Sequence, residues 1–148
     1  MEFQGEYINL LDPKGRANIP ARLRDTLNRV YGEDLLVVTK NSDGGLTAYP
    51  VSLWEKLSDK IKTYPAGPFK TAITRVTISP ALKCPFDKLG RILIPLALRS
   101  YAELDKEIVI VGLIDKIEIY NKSSYDQVTL NSKSFLQNNQ QEMADLGF

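Results

Sequence analysis

Two short stretches carry the residues best suited to chemistry. In Asp12-Pro13-Lys14-Gly15-Arg16 and in Asp87-Lys88-Leu89-Gly90-Arg91, a carboxylate stands four residues before an arginine, with a glycine between them. Aspartate at the first position of a four-residue turn, Pro13 at the second and glycine at the fourth fit a type I turn. Such a turn delivers Arg16 or Arg91 onto the strand that follows. A guanidinium there suits bidentate recognition of guanine O6 and N7, and a β-ribbon is narrow enough for the major groove. Asp12 and Asp87 would orient the arginine or cap the turn, and Gly15 and Gly90 would shape it. The plainer alternative is a local salt bridge beside a common turn.

The two stretches are copies of one unit. Asp12 and Asp87, Arg16 and Arg91, Pro20 and Pro95, and Arg24 and Arg99 each stand 75 residues apart. The likeness continues: Leu35-Leu36-Val37-Val38 matches Ile108-Val109-Ile110-Val111, and Leu46-Thr47-Ala48-Tyr49 matches Ile117-Glu118-Ile119-Tyr120. Trp54 and Tyr125 each follow five residues after the last tyrosine. An internal repeat dictates the architecture. Each copy is too short to fold readily without help, so the halves are expected to pack as a pseudo-twofold pair.

The elements that must position the turns follow from the pattern. Residues 6–11 read as a strand, 16–19 as a second, and 20–31 as a helix opened by Pro20 with Leu23, Leu27 and Val30 on one face. Leu35 to Val38 is apolar on both faces, as in a strand covered on both sides. A hairpin loop leads to a strand at 46–49. A helix after Pro50 then carries a stripe of Trp54, Leu57 and Ile61. Tyr64-Pro65-Ala66-Gly67-Pro68 marks the joint between halves. Residues 72–79 alternate as a strand. The second copy repeats the order: turn 87–90, strand 91–94, helix 95–103, strands 107–112 and 116–120, and a helix from about 122. The polar tail from Asn131 reads equally as helix or as loose chain. The expected boundaries are a first repeat at 5–57, a connection at 58–76, a second repeat at 77–128 and a tail at 129–148.

Composition limits the chemistry. Of 148 residues, 43% are hydrophobic, enough for a packed core, and the formal net charge is only +1. Binding to a polyanion must therefore come from local patches. Residues 12–24 hold Lys14, Arg16, Arg22 and Arg24 against Asp12 alone; residues 87–99 hold Lys88, Arg91 and Arg99 against Asp87. Taken singly, Arg22, Arg24 and Arg99 read as solvated helix-surface residues. The chain has one cysteine and no histidine. That excludes an internal disulfide, a Cys/His zinc site and Ser-His-Asp or Cys-His catalysis. Cys84 reads as a small apolar residue. The polar, acidic start has no signal-peptide pattern, and no apolar run reaches membrane-spanning length. A cytoplasmic protein is the expectation. Two competing classes remain: a hydrolase using Asp12 and Asp87 as paired carboxylates, which Lys14 and Lys88 disfavour by keeping both acids ionised, and a ring or scaffold protein that binds no DNA.

At the repeated turns the sequence resembles the MraZ family, within the AbrB-like group of DNA-binding proteins. The resemblance rests on residues 12–16 with Ile19-Pro20, on residues 87–95 with Leu98-Arg99-Ser100-Tyr101-Ala102, on Val109-Ile110-Val111-Gly112 and on Lys116-Ile117-Glu118-Ile119-Tyr120. It covers Met1 to about Val128. It implies an α+β, β-rich fold in which two tandem AbrB-like swapped-hairpin half-domains form one pseudo-twofold, barrel-like domain with short helices. It also implies a nucleoid-associated transcriptional regulator, assembled as a ring, that binds guanine-rich direct repeats in the promoter of the division and cell-wall gene cluster. The DNA-contacting signature maps onto Asp12, Arg16, Asp87 and Arg91, and Leu89 makes the second turn less positive than the first. The expectation is that Arg16 and Arg91 read bases while Lys14, Lys88 and Arg22 meet phosphates. No catalytic residue, metal, cofactor or small-molecule ligand is expected, and the partners are double-stranded DNA and further copies of the chain.

Overall fold

The computed structural model of the chain describes residues 2–148. Its strands are β1 (Glu6–Leu10), β2 (Arg16–Asn18), β3 (Leu35–Lys40), β4 (Leu46–Tyr49), β5 (Leu82–Pro85), β6 (Arg91–Leu93), β7 (Glu107–Leu113) and β8 (Lys116–Asn121). Its helices are α1 (Ala21–Thr26), α2 (Val51–Thr63), α3 (Pro68–Ile73), α4 (Leu96–Tyr101), α5 (Lys122–Gln137) and α6 (Gln140–Leu146). The architecture is α+β and strand-rich, as the sequence implied.

Six strands form one antiparallel sheet in the order β1-β7-β8-β4-β3-β5, and β2 pairs with β6 as a separate ribbon. The first strand of each repeat is exchanged. β1 pairs with β7 of the second repeat, and β5 pairs with β3 of the first. The repeats also meet at the sheet centre, where Thr47 faces its own counterpart Glu118. In the ribbon, Ala17 likewise faces its counterpart Ile92. A pseudo-twofold axis therefore runs through both pairs. The ribbon lies against both ends of the sheet, β2 beside β1 and β6 beside β5, although β1 and β5 do not pair with each other.

The core lies under the ribbon. Ala17, Ile19, Ile92 and Ile94 are fully buried against Leu23, Leu27, Leu36, Val38, Leu98, Ile108 and Ile110. Prolines 20 and 95 stand just before their helices with extended ψ of 136° and 149°, so each helix begins one residue later than the sequence suggested. After α1 the chain continues as a π-helical turn, Leu27–Tyr31. The larger number of residues per turn swings Val30 out to 44% exposure, against the expected stripe. It brings Tyr31 to the core instead, stacked on the buried Phe3 with ring centroids 5.8 Å apart.

Residues 72–79 are not a strand. Pro68 opens α3, and the chain runs on through a π-helical turn, Thr74–Ile78. β3 already has β4 on one side and β5 on the other, so no ladder position remains for this segment. It packs on β3 through side chains, and Thr39 Oγ1 donates 2.5 Å to the Thr77 carbonyl. The α2 stripe of Trp54, Leu57 and Ile61 is only half-buried. Trp54 packs on Tyr49 with centroids 5.4 Å apart, and Tyr125 on Tyr120 at 5.5 Å, so the repeated aromatic pair serves packing. The polar tail is helical, completing α5 and forming α6.

Glu118 at the axis is half-buried and accepts a hydrogen bond from Tyr120 Oη at 3.0 Å. Burial raises its pKa, with the Tyr120 hydrogen bond opposing. An acid whose folded pKa lies above its unfolded one costs stability once ionised; the cost shrinks as pH falls through the folded value and is gone below the unfolded one. Glu118→Gln is therefore expected to raise the melting temperature at pH 7 and to leave it nearly unchanged at pH 4. Thermal scans of both proteins at the two pH values check this.

Candidate nucleic-acid interface

Each turn is built by its aspartate. Gly15 N–H donates to the Asp12 carbonyl at 2.9 Å, and Gly90 N–H to the Asp87 carbonyl at 3.0 Å. Asp12 Oδ1 then accepts from the backbone N–H of Lys14 at 2.9 Å and of Arg16 at 2.8 Å. Asp87 Oδ1 accepts from Leu89 and Arg91, both at 2.9 Å. The second carboxylate oxygen takes the arginine itself: Arg16 Nε lies 2.5 Å from Asp12 Oδ2, and Arg91 Nε 2.8 Å from Asp87 Oδ2. The backbone N–H of Arg16, aided by its side chain and opposed by partial desolvation, holds Asp12 below the usual carboxylate range. Arg91 does the same for Asp87. Both acids stay ionised well below neutral pH, and the turns lose this support only as pH falls through those depressed values. Neither acid is set up to hold a proton, as a paired-carboxylate hydrolase requires.

The carboxylates spend the arginines' Nε and leave the ends of the guanidinium groups. Among the described residues, the terminal nitrogens of Arg16 have no hydrogen-bond partner, and Arg91 Nη1 lies 4.0 Å from Asp12 Oδ2. Arg16 and Arg91 thus converge on one carboxylate. Side chains alternate across a strand. With Ala17 and Ile92 turned into the core, Arg16, Asn18, Arg91 and Leu93 stand on the outward face of the ribbon. Lys14 and Lys88 are exposed on the turns, and Arg22 is exposed on the first turn of α1.

Arg24 and Arg99 are not simply solvated. Arg24 Nε donates to the Ile19 carbonyl at 3.0 Å and Arg99 Nε to that of Ile94 at 2.8 Å. Each then lies over the turn glycine of the other repeat. A Cβ on Gly90 would stand 2.5 Å from Arg24 Cζ, and one on Gly15 the same distance from Arg99 Cζ. The backbone crosses as well, since Ile19 N–H donates to the Gly90 carbonyl at 3.1 Å and Ile94 N–H to that of Gly15 at 2.9 Å. Each turn is thus held by the opposite half. The signal in the sequence was the recurrence of Arg24 as Arg99, which surface solvation does not explain.

The family model for the MraZ protein matches residues 3–76 and again residues 77–146. The chain belongs to the MraZ family. A Syntrophotalea carbinolica protein named transcriptional regulator MraZ is 47% identical over 151 residues, covering all of both chains. Proteins of the same name from Pelotomaculum thermopropionicum and Pediococcus pentosaceus are 41% and 36% identical, over 97% or more of each chain. The family's relatives are named as regulators of transcription and not as enzymes. Among the described residues, no helix is long and apolar enough to cross a membrane, and no group of three His, Cys, Asp or Glu is placed to hold a metal ion. Cys84 is buried, and burial pushes its thiol up to about 11, which makes it an inert core residue.

Proposed function

We propose that this protein is a DNA-binding regulator of transcription that reads guanines with Arg16 and Arg91. The observation that carries the reading is the pair of arginines on one outward ribbon face, each fixed at Nε by its own aspartate and with no hydrogen bond at its terminal nitrogens among the described residues. A guanidinium held in this way is pre-organised for the two acceptors on the guanine edge. The names of the relatives support regulation of transcription. Lys14, Lys88 and Arg22 take phosphates and set the ribbon's register on the duplex. The functional units are residues 5–57 and 77–128, joined by 58–76 and followed by the tail at 129–148.

The target proposed is a set of guanine-rich direct repeats in the promoter of the division and cell-wall gene cluster, bound by a ring of subunits in the cytoplasm on the nucleoid. One ribbon neutralises too few phosphates for tight binding at physiological salt. Copies arranged head to tail present ribbons in one sense along the duplex, which suits direct repeats, and linked sites gain by effective concentration.

The test is a gel shift with the fragment upstream of the protein's own gene, at several salt concentrations. The Arg16→Ala/Arg91→Ala variant is expected to lose roughly 1–3 kcal/mol for each base-reading arginine removed at an engaged site. Asp12 and Asp87 keep their backbone hydrogen bonds in that variant, and the partly exposed ion pairs it removes contribute little to stability, so its melting temperature stays close to wild type. Lys88→Ala is expected to weaken binding to all sequences alike and to lower the salt slope by about 1. Unaltered sequence preference in a correctly assembled double variant sinks the base-reading roles. No specific shift by the assembled wild type favours the scaffold alternative.

A further inference from the structure

The two halves of the ribbon are chemically unlike. Where the first repeat has Lys14, Asn18 and Ala21, the second has Leu89, Leu93 and Leu96, exposed by 67%, 58% and 68%. Leu93 is the informative one, because the register places it directly opposite Arg16, while Asn18 stands opposite Arg91. Directly opposed side chains on one face of an antiparallel pair have Cβ atoms about 5 Å apart. Base pairs follow one another every 3.4 Å or so along a strand. A ribbon that sets Arg16 on a guanine therefore lays Leu93 on the neighbouring base pair. Leucine has no hydrogen bond to offer there. The one apolar feature in the major groove is the thymine C5-methyl group.

Resting on the base-reading function proposed above, we infer that Leu93 selects a thymine next to the guanine read by Arg16. Asn18 places an amide beside Arg91 instead, which suits the N6 and N7 of adenine. The pseudo-symmetric ribbon thereby reads an asymmetric sequence. That gives each subunit a defined direction on the DNA.

The test removes only the methyl group. The fragment upstream of the protein's own gene is amplified with dTTP, with dUTP, or with 7-deaza-dGTP in place of dGTP. Each is titrated with the full chain and with Leu93→Asn and Leu93→Ala, after light scattering has compared their assemblies. Wild type is expected to bind the thymine fragment about three- to fivefold more tightly than the uracil fragment at each engaged site, the effect of burying one methyl group. Both Leu93 variants are expected to bind the two fragments equally. The 7-deazaguanine fragment is expected to weaken wild type and variants alike. If wild type and variants share one thymine-to-uracil ratio, Leu93 does not read the methyl group, while a 7-deazaguanine effect still upholds the arginine roles. A change of assembly in both variants marks Leu93 as a contact between protein copies and overturns the inference. A wild type indifferent to 7-deazaguanine removes the guanine reading, and this inference with it.

Discussion

Alanine in place of Gly90 is expected to lower stability by about 2–4 kcal/mol, and alanine in place of Gly15 by a similar amount. Two costs add. Both glycines have left-handed backbone, with φ of 78° and 88°, where a Cβ costs about 1–2 kcal/mol. The new methyl group also meets a guanidinium, Arg24 over Gly90 and Arg99 over Gly15, at 2.5 Å. The arginine must leave, giving up its hydrogen bond to the Ile19 or Ile94 carbonyl. Gly44 separates the two costs. Its φ is 81°, yet no atom lies within 4 Å of an added Cβ, so Gly44→Ala is expected to lose the backbone cost alone. Arg24→Ala/Gly90→Ala is expected to lose less than the sum of its single changes, since one side chain vacates the space that the other fills. Urea denaturation of wild type and of each variant, Arg24→Ala alone included, measures the set. Strict additivity of Arg24→Ala and Gly90→Ala removes the crossed clamp.

Gly112→Ala is expected to cost about 3–5 kcal/mol, as much as Phe3→Ala. An added Cβ at position 112 would lie 2.4 Å from the Gln4 backbone nitrogen and 2.6 Å from the Phe3 carbonyl carbon. Backbone atoms cannot swing aside as a side chain does. The relief available is to shift the segment ahead of β1, which Gly112 N–H holds at 2.9 Å through the Gly5 carbonyl and Ile114 through paired bonds to Phe3. That shift withdraws the Phe3 ring, which is 1% exposed and stacked on Tyr31. Phe3→Ala and Gly112→Ala together should then be scarcely worse than either alone. Full additivity shows that the glycine does something other than seat Phe3.

The turns were legible in the sequence because they are local. Asp12 reaches Lys14 and Arg16 within four residues, so the chemistry of the segment fixes its shape. The exchange of strands between repeats came with the resemblance; hydrophobic periodicity cannot choose between β3 and β7 as the partner of β1. The strand expected at 72–79 was misread because short runs of alternating β-branched residues fit either period, and the deciding fact was that β3 had no free edge. Tyr31 was missed in favour of Val30 because a π-helical turn changes the spacing from within. Arg24 and Arg99 looked solvated because their partners, Gly90 and Gly15, lie across the axis in the other repeat. The register of Arg16 against Leu93 belongs to the same class: it depends on how two distant strands slide together.

The exchanged strands also govern how the chain is made. β1 is synthesised well before its partner, which begins at Glu107. When residues 3–76 have been synthesised, one family unit is complete in sequence but lacks both its outer strand partner and the arginine that covers its turn. It must wait with Ile8 and Leu10 along an open strand, while the second unit is translated through Leu113, about half its length. Pairing over such a separation is slow, and an open strand can recruit another nascent chain. Neighbouring ribosomes on one messenger carry chains at the same stage. The geometry that lets a single polypeptide imitate a dimer therefore creates an interval in which two polypeptides can exchange strands and become one, and the rate of elongation past Glu107 sets how long that interval lasts.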